Sequence, residues 1–260
     1  MKRLLQLFLL LFLTQTTLQA DKLEKIIQEK KLRVCVWSEY YGISYLDPRT
    51  QELVGIDSDL ARELAKDLGV ELEYISSSFA TLLEDITEDK CDIAMFAIGN
   101  TPQRREKVRF TTPHLASDIY AVATKTNKKI QRWDDIDKTG VVVAVAKGTY
   151  HEPVMREKLK HATLLVVENM HAREQEVISG RADVFMTDYP FGRKMLATTA
   201  WAKLILPEQT YHMTSYAWAL AYKEDRFYER VEQFIKDIKK DARLLDLAKK
   251  NALEAIVKVD

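Results

Sequence analysis

Apolar runs of strand length alternate along this chain with segments of helical period, and this alternation limits the fold more than any other feature. An apolar run spans residues 32–37, "GIDSDLARELAKDLGV" places its apolar residues on one helical face, and "ELEYIS" follows as a second run. Asp57 or Ser58 is predicted to cap the start of that helix, and Gly69 to end it. The alternation predicts an α/β fold with mainly parallel sheets.

The same pattern restarts after residue 124, where "VVVAVA", "TLLVVE" and "ADVFMTD" are predicted strands separated by helical segments. Near the end, "SYAWALAY" predicts a strand that returns the chain to its first half. We therefore expect two α/β lobes: residues 21–122 with 216–260 as lobe 1, and residues 123–215 as lobe 2. Two crossings would make a two-strand hinge beside a cleft, and clefts between domains bind small ligands.

The N-terminal segment, residues 1–20, has two basic residues, an apolar run and a small residue, Ala20, at its end. It predicts a secretory signal cleaved near Ala20, and hence an exported protein.

The whole chain carries 39 basic and 39 acidic residues, with no basic stripe that would indicate nucleic-acid binding. Cys35 and Cys91 both lie in predicted strands, so we expect free, buried thiols.

Candidate functional residues follow the predicted strands, because ligand sites in open α/β sheets lie beyond the carboxyl ends of strands. Arg104 falls in the first turn of a helix, where its guanidinium and the free amides suit a carboxylate; a solvated arginine is the alternative. Asp188 ends an apolar strand and suits an ammonium group; a helix cap is the alternative. The other candidates are Trp37, Glu39, Tyr40, Phe79, Ala97, Gly99, Gly148 and Thr149.

Motifs of common enzymes are absent from the sequence. It has no Gly-rich dinucleotide or phosphate loop, no His-Glu-x-x-His and no Gly-x-Ser-x-Gly. Its five histidines lack metal-ligand spacing. We therefore expect no catalytic residue, no cofactor and no metal.

Five segments in order resemble the extracytoplasmic amino-acid-binding proteins of ABC importers, solute-binding family 3, over nearly the whole chain after residue 20. They are "LRVCVWSEYYGISYLD", "ELVGIDSDLARELAKDLGVELEYI", "CDIAMFAIGNTPQRREKVRFTTPHL", "VVVAVAKGTYHE" and "GRADVFMTDYP". The resemblance implies a two-lobed periplasmic-binding-protein fold of type II. It also implies a periplasmic receptor that passes an amino acid to an inner-membrane ABC permease, and we expect a monomer.

The resemblance also assigns roles to site residues. It implies that Arg104 binds the ligand carboxylate, that Asp188 binds its ammonium group, and that Gly148 and Thr149 form a binding corner. Tyr40 and Phe79 would hold the ligand side chain between two rings, with Trp37 beside them. Glu39 nearby favours a basic amino acid, lysine or arginine. At Ala97 and Gly99, where many relatives have hydroxyl side chains, only backbone amides are left to contact the carboxylate.

Two other functions are weighed against transport. The segments "DIAM", "GTYHE" and "RADVFMTD" are also similar to cyclohexadienyl (prephenate/arogenate) dehydratases built on this fold, a reaction that needs a general acid. In our alignment that acid falls at Phe191, which has no proton to donate, so we rank the dehydratase below the receptor although Glu39 is a possible acid. A surface antigen or adhesin with an incidental binding fold is the third alternative.

Overall fold

The computed structural model describes residues 21–258 and has the predicted α/β architecture. The predicted secretory signal, residues 1–20, lies outside the described residues. None of the helices in residues 21–258 combines the length and the apolar character that crossing a membrane requires.

Two main sheets with helices packed on them make up the two lobes, which we call lobe 1 and lobe 2. The strands of lobe 1 are β1 (Lys31–Val36), β5 (Glu71–Ser76), β6 (Ile93–Gly99), β7 (Arg109–Phe110), β8 (Leu115–Ser117) and β14 (Thr214–Leu220). The strands of lobe 2 are β9 (Tyr120–Thr124), β10 (Val142–Ala146), β11 (Thr163–Val167), β12 (Val184–Thr187) and β13 (Ala202–Ile205). A small third sheet comprises β2 (Glu39–Tyr40), β3 (Ser44–Leu46) and β4 (Leu53–Val54).

The helices follow the strands as the alternation predicts. The helices before residue 120 are α1 (Lys22–Glu29), α2 (Ile56–Leu68), α3 (Leu82–Thr87) and α4 (Pro102–Arg105). Those that follow are α5 (His151–Lys158), α6 (Met170–Ile178), α7 (Tyr189–Thr198), α8 (Asp225–Lys240) and α9 (Arg243–Lys250), with short 3₁₀ helices at Trp133–Asp135 and Glu254–Ile256.

Both main sheets combine parallel and antiparallel pairing. In lobe 1 the order is β5-β1-β6-β14-β7, with β8 also paired to β14; β1 runs parallel to β5 and β6, and β14 is antiparallel to β6. In lobe 2 the order is β11-β10-β12-β9-β13, with β10 parallel to β11 and β12 and with β9 antiparallel to β12. The carboxyl ends of the parallel strands in each lobe therefore carry loops toward one edge of its sheet.

The chain passes from one sheet to the other twice, between Ser117 and Tyr120 and again between Ile205 and Thr214. The boundaries predicted from the sequence, 122/123 and 215/216, fall inside β9 and β14. In the structure each crossing between the sheets therefore lies a few residues before the predicted boundary. The predicted return of "SYAWALAY" to the first half is confirmed, because β14 pairs with β6.

Helix α2 buries Ile56, Leu60 and Leu64, as its period predicts, but it begins differently from the prediction. Gly55 precedes it at φ 123°, and a Cβ there would lie 2.5 Å from the carbonyl of Ile43, so only glycine fits. The Asp57 side chain makes no capping bond. It is fully buried and accepts hydrogen bonds from the Ala97 amide (2.6 Å), His114 Nε2 (2.8 Å) and Trp218 Nε1 (2.9 Å).

The prediction of free thiols is wrong: Cys35 and Cys91 form a disulfide with a Cα–Cα distance of 5.6 Å. The cause is strand register, since Cys35 in β1 lies opposite Ala94 in β6 and Cys91 ends the turn that leads into β6. Two buried cysteines, one in β1 and one just before β6, thus come within bonding reach. The bond ties together residues 56 positions apart in the sequence.

Removing this disulfide is expected to destabilise the fold without changing it. A Cys35→Ala/Cys91→Ala double variant should lose about 2–5 kcal/mol of unfolding free energy, because the bond restricts the unfolded chain. Urea denaturation of the variant, and of the wild-type chain with and without reductant, measures this loss. The reduced wild-type chain should match the variant; equal midpoints for the oxidised and reduced chains would contradict the assignment.

Candidate functional site

Asp188 of lobe 2 is buried against lobe 1 and accepts hydrogen bonds from it. Its Oδ2 atom accepts from the hydroxyl groups of Tyr40 and Tyr216, the latter at 2.7 Å, while its Oδ1 atom accepts from the Phe191 amide at the start of α7. Burial raises the carboxyl pKa of Asp188, and the two tyrosine hydrogen bonds partly oppose that shift. The predicted carboxylate therefore lies between the lobes, and it caps α7 as well.

Arg104 lies on the opposite side, in lobe 1, and is also buried. Thr101 caps the short helix α4, and the guanidinium donates to the Gly99 carbonyl and, across to lobe 2, to the Gly148 carbonyl, each at 2.9 Å. Burial lowers the pKa of Arg104 to about 10. Among residues 21–258 no carboxylate lies within ion-pairing distance of it. Main-chain carbonyls and the Phe79 ring, whose centroid is 5.6 Å from Cζ, thus hold this cation, which leaves it suited to a ligand carboxylate.

The Gly148–Thr149 corner brings the lobes into close approach. Gly148 has φ 77°, and a Cβ built on it would lie 2.8 Å from Phe79 O and Ala80 Cα of lobe 1. The Thr149 hydroxyl donates to the Ala146 carbonyl at 2.7 Å, within its own turn. The corner therefore contributes a bare backbone to the interface, and its hydroxyl stabilises the turn.

The aromatic residues meet one another at this interface. The ring centroids of Trp37, Tyr40 and Phe79 lie 5.3–5.8 Å apart, and Phe79 also contacts Phe96 at 5.2 Å. Tyr40 and Phe79 meet edge-on, at 74°. Two rings in direct contact leave no gap for a side chain, so in this arrangement they do not form the parallel walls that the resemblance implies.

Three further candidates have different surroundings from those predicted. Glu39 is exposed, at the rim of a separate inter-lobe pocket of about 300 Å³ that also includes Lys147 and Glu168. The Ala97 amide donates to Asp57, and Ala97 lies inside β6 at φ 48°, so this amide is not free to contact a carboxylate. The Gly99 carbonyl accepts from Arg104, and a Cβ at this position would lie 3.2 Å from the Tyr150 ring.

Sequence reasoning missed several residues that line a small cavity between the two lobes, beside Asp188. The Tyr150 hydroxyl lies 3.1 Å from that of Tyr216, and the His151 ring stacks on Tyr150 with centroids 4.1 Å apart. Arg173 lies in the wall beside Asp188 and is 1% exposed. A signal for Arg173 was present in the sequence: Met170, Arg173 and Val177 recur at helical spacing on the buried face of α6.

The cavity between these residues has a volume of about 10 Å³, which is room for about one water molecule. Its walls come from both lobes, with Tyr40 and Phe79 on one side and Thr149, Asp188 and Arg173 on the other. An amino acid is much larger than this space. Entry of any such ligand therefore requires the lobes to move apart.

The model of bacterial extracellular solute-binding proteins, family 3, matches residues 32–254. The chain belongs to this family. The predicted type II periplasmic-binding-protein fold is confirmed by the solved structures it resembles. The ancestral amino acid-binding protein AncCDT-1, a precursor of cyclohexadienyl dehydratase, is 30% identical with a TM-score of 0.80, over 88% of this chain and 98% of that chain.

Other relatives include both an enzyme and a binding protein. The cyclohexadienyl dehydratase of Pseudomonas aeruginosa is 29% identical over 231 residues, which are 87% of this chain and 85% of the relative. A substrate-binding protein of an amino acid ABC transporter from Streptococcus pneumoniae, bound to L-arginine, is 26% identical with a TM-score of 0.80, over 91% of this chain and 99% of that chain.

The bare backbone at Gly148 predicts a specific effect on lobe closure. A Gly148→Ala variant should hold the lobes apart, because its Cβ would meet the main chain of lobe 1. Small-angle X-ray scattering should show a larger radius of gyration than for the wild type. Gly180→Ala is the matched control, since Gly180 has the same φ of 77° but no atom within 4 Å of its Cβ position. Equal radii for the two variants would contradict a steric role for Gly148.

Proposed function

We propose that this protein is a receptor that captures an amino acid between its lobes and delivers it to an ABC importer. The observation that carries the proposal is the pair of opposed buried charges: Arg104 of lobe 1 has no carboxylate partner among the described residues, and Asp188 of lobe 2 accepts its hydrogen bonds from hydroxyl and amide groups. An α-amino acid presents one carboxylate and one ammonium group on the same carbon. It would pair with both residues at once.

Closure on such a ligand follows from the energetics of buried charge. Each charge is costly to bury alone, whereas a charge-assisted hydrogen bond contributes about 1.5–3 kcal/mol. Two such bonds, together with burial of the ligand stem against the aromatic residues, fit micromolar affinity, roughly −8 kcal/mol. Because the contacts come from both lobes, the ligand stabilises the closed arrangement over the open one.

Export and delivery belong to the same proposal. The predicted secretory signal and the Cys35–Cys91 disulfide both suit an oxidising compartment such as the periplasm. An inner-membrane ABC permease is the proposed partner, with the receptor acting as a monomer. No cofactor is invoked for this cycle.

The basic ligand predicted from the sequence rests on Glu39. The L-arginine bound by the S. pneumoniae relative favours such a ligand. The exposure of Glu39 and the position of Arg173 in the cavity wall count against it, since a ligand cation would have to lie at the rim rather than in the cavity.

Replacing Arg104 is expected to remove ligand binding. Isothermal titration and thermal-shift screening against the twenty amino acids should identify a ligand for the wild type, and Arg104→Ala should weaken it at least about tenfold through loss of one charge-assisted bond. Arg105→Ala is the matched control, because Arg105 is exposed and, within residues 21–258, its side chain hydrogen-bonds only to Asn100.

Two results would contradict this assignment. A large drop in the melting temperature of ligand-free Arg104→Ala would give Arg104 a structural role instead. Stabilisation by none of the twenty amino acids would favour a surface antigen or adhesin, or a different ligand class.

A dehydratase is the second candidate, favoured by the P. aeruginosa relative. Phe191 lies in the cavity wall at the position where our alignment expects the general acid, and a phenyl ring donates no proton. We therefore expect no phenylpyruvate when the purified protein is incubated with prephenate. Steady turnover that is abolished by Glu39→Gln or by Asp188→Asn would reverse this ranking.

A further inference from the structure

Arg173 is a buried cation that lines the cavity, in addition to Arg104 nearby, and the proposed capture of a simple zwitterion does not use it. It lies on α6 in lobe 2, and its Nη1 donates to the Met186 carbonyl at 2.6 Å. Its Nε and Nη2 atoms are buried without a hydrogen-bond partner in the described part of the chain. A buried guanidinium with two unused donors is unfavourable unless something accepts from them.

Two aromatic rings hold this guanidinium in place. Arg173 Cζ lies 4.3 Å from the Phe185 ring centroid and 4.7 Å from that of Phe191. Cation–π contact on both rings restricts the guanidinium, so that its remaining donors keep a fixed direction. Such restriction suits recognition of a planar anion by two parallel hydrogen bonds.

The buried charges at and beside the cavity do not balance for a simple zwitterion. Arg173 and Asp188 line the cavity, and Arg104 is a second buried cation at the contact between the lobes, where it donates to the Gly148 carbonyl. Asp188 is the one carboxyl group among the residues that line the cavity. Burial and the positive charge of Arg173 lower the pKa of His151 to about 3, so that imidazole is neutral, and burial keeps the tyrosines Tyr40, Tyr150 and Tyr216 protonated by raising their pKa values. A neutral amino acid leaves one cation uncompensated. A basic one adds another cation.

We infer that the ligand is an α-amino acid with a second carboxylate in its side chain, and that Arg173 binds this carboxylate. The inference rests on the proposed function, since Arg104 and Asp188 are assigned to the α-carboxylate and the ammonium group. With the second carboxylate present, two cations face two ligand anions, and Asp188 faces the ligand cation. The neutral His151 ring also lines the cavity and is a further donor to the same group, since neither of its nitrogen atoms has a hydrogen-bond partner among the described residues.

The test compares ligands that differ only in charge. Titration calorimetry of the wild-type protein should give affinities for aspartate or glutamate about tenfold or more above those for asparagine or glutamine, which have nearly the same shape but no side-chain anion. Lysine and arginine should bind most weakly. Prephenate carries two carboxylates but no ammonium group, so it should bind more weakly than the acidic amino acid.

Arg173→Met tests the residue itself, because methionine keeps an unbranched apolar stem between the two rings. This variant should lose the preference for the acidic ligand over its amide while it still binds the amide. Arg181→Met is the matched control, since Arg181 is an exposed arginine of the same lobe that pairs with Glu176, and it should retain the preference. If Arg173→Met fails to fold, the comparison of acid with amide on the wild type carries the test.

The outcomes separate the inference from the proposed function. Equal affinity for acid and amide, or tighter binding of lysine or arginine, overturns the inference while the receptor stands. A preference that survives Arg173→Met overturns the role of Arg173. Tighter binding of prephenate overturns the requirement for an ammonium group. Binding of no amino acid at all overturns the proposed function together with the inference.

Discussion

The buried carboxyl group of Asp188, bound by tyrosine hydroxyls from the other lobe, is the contact on which the closed arrangement depends. Tyr40 and Tyr216 reach it from lobe 1, while Arg104 of lobe 1 reaches the Gly148 carbonyl of lobe 2. The Asp188 contact lines a cavity with room for about one water molecule. Burial raises the pKa of Asp188 and lowers that of Arg104, so the closed interface disfavours the charged form of each group. A ligand that carries both complementary charges removes both penalties together, and this couples binding to closure.

The scaffold behind Arg104 explains why it is presented so rigidly. Asp57 ties α2 to the end of β6 through the Ala97 amide and also accepts from His114 and Trp218. These bonds hold Ala97 at φ 48°, inside the strand whose end leads to Gly99 and Arg104. The charge-assisted bonds of a fully buried carboxylate are strong, and losing one would leave a buried group unsatisfied. Asp57 of the "GIDSDLA" segment thus positions the end of β6 that leads to Arg104.

Sequence reasoning succeeded where a local pattern decides the structure. Apolar periodicity gave the alternation of strands and helices, and a strand end followed by a capped helix placed Arg104 and Asp188 at the interface between the lobes. It failed where contacts between segments that are distant in the sequence determine the structure. The Cys35–Cys91 bond depends on the register of β1 against β6, and the edge-on contact of Tyr40 with Phe79 depends on how the lobes approach. Arg173 was overlooked although it occupies an apolar position of α6, and a charged residue at such a position is a sign of a buried charge.

Phe191 bears on two questions: whether the chain has a general acid, and whether the Arg173 guanidinium is available to a ligand. At the position where a dehydratase of this fold would be expected to carry its proton donor, this chain has a phenyl ring, and that ring packs on the guanidinium of Arg173. A carboxylic acid there would pair with Arg173, which would favour its ionised form and use up the guanidinium's free donors. Phenylalanine at position 191 restricts the orientation of the Arg173 guanidinium and leaves its Nε and Nη2 atoms without a partner among the described residues. The same residue lacks a proton to donate, so it fits the proposed receptor better than the dehydratase.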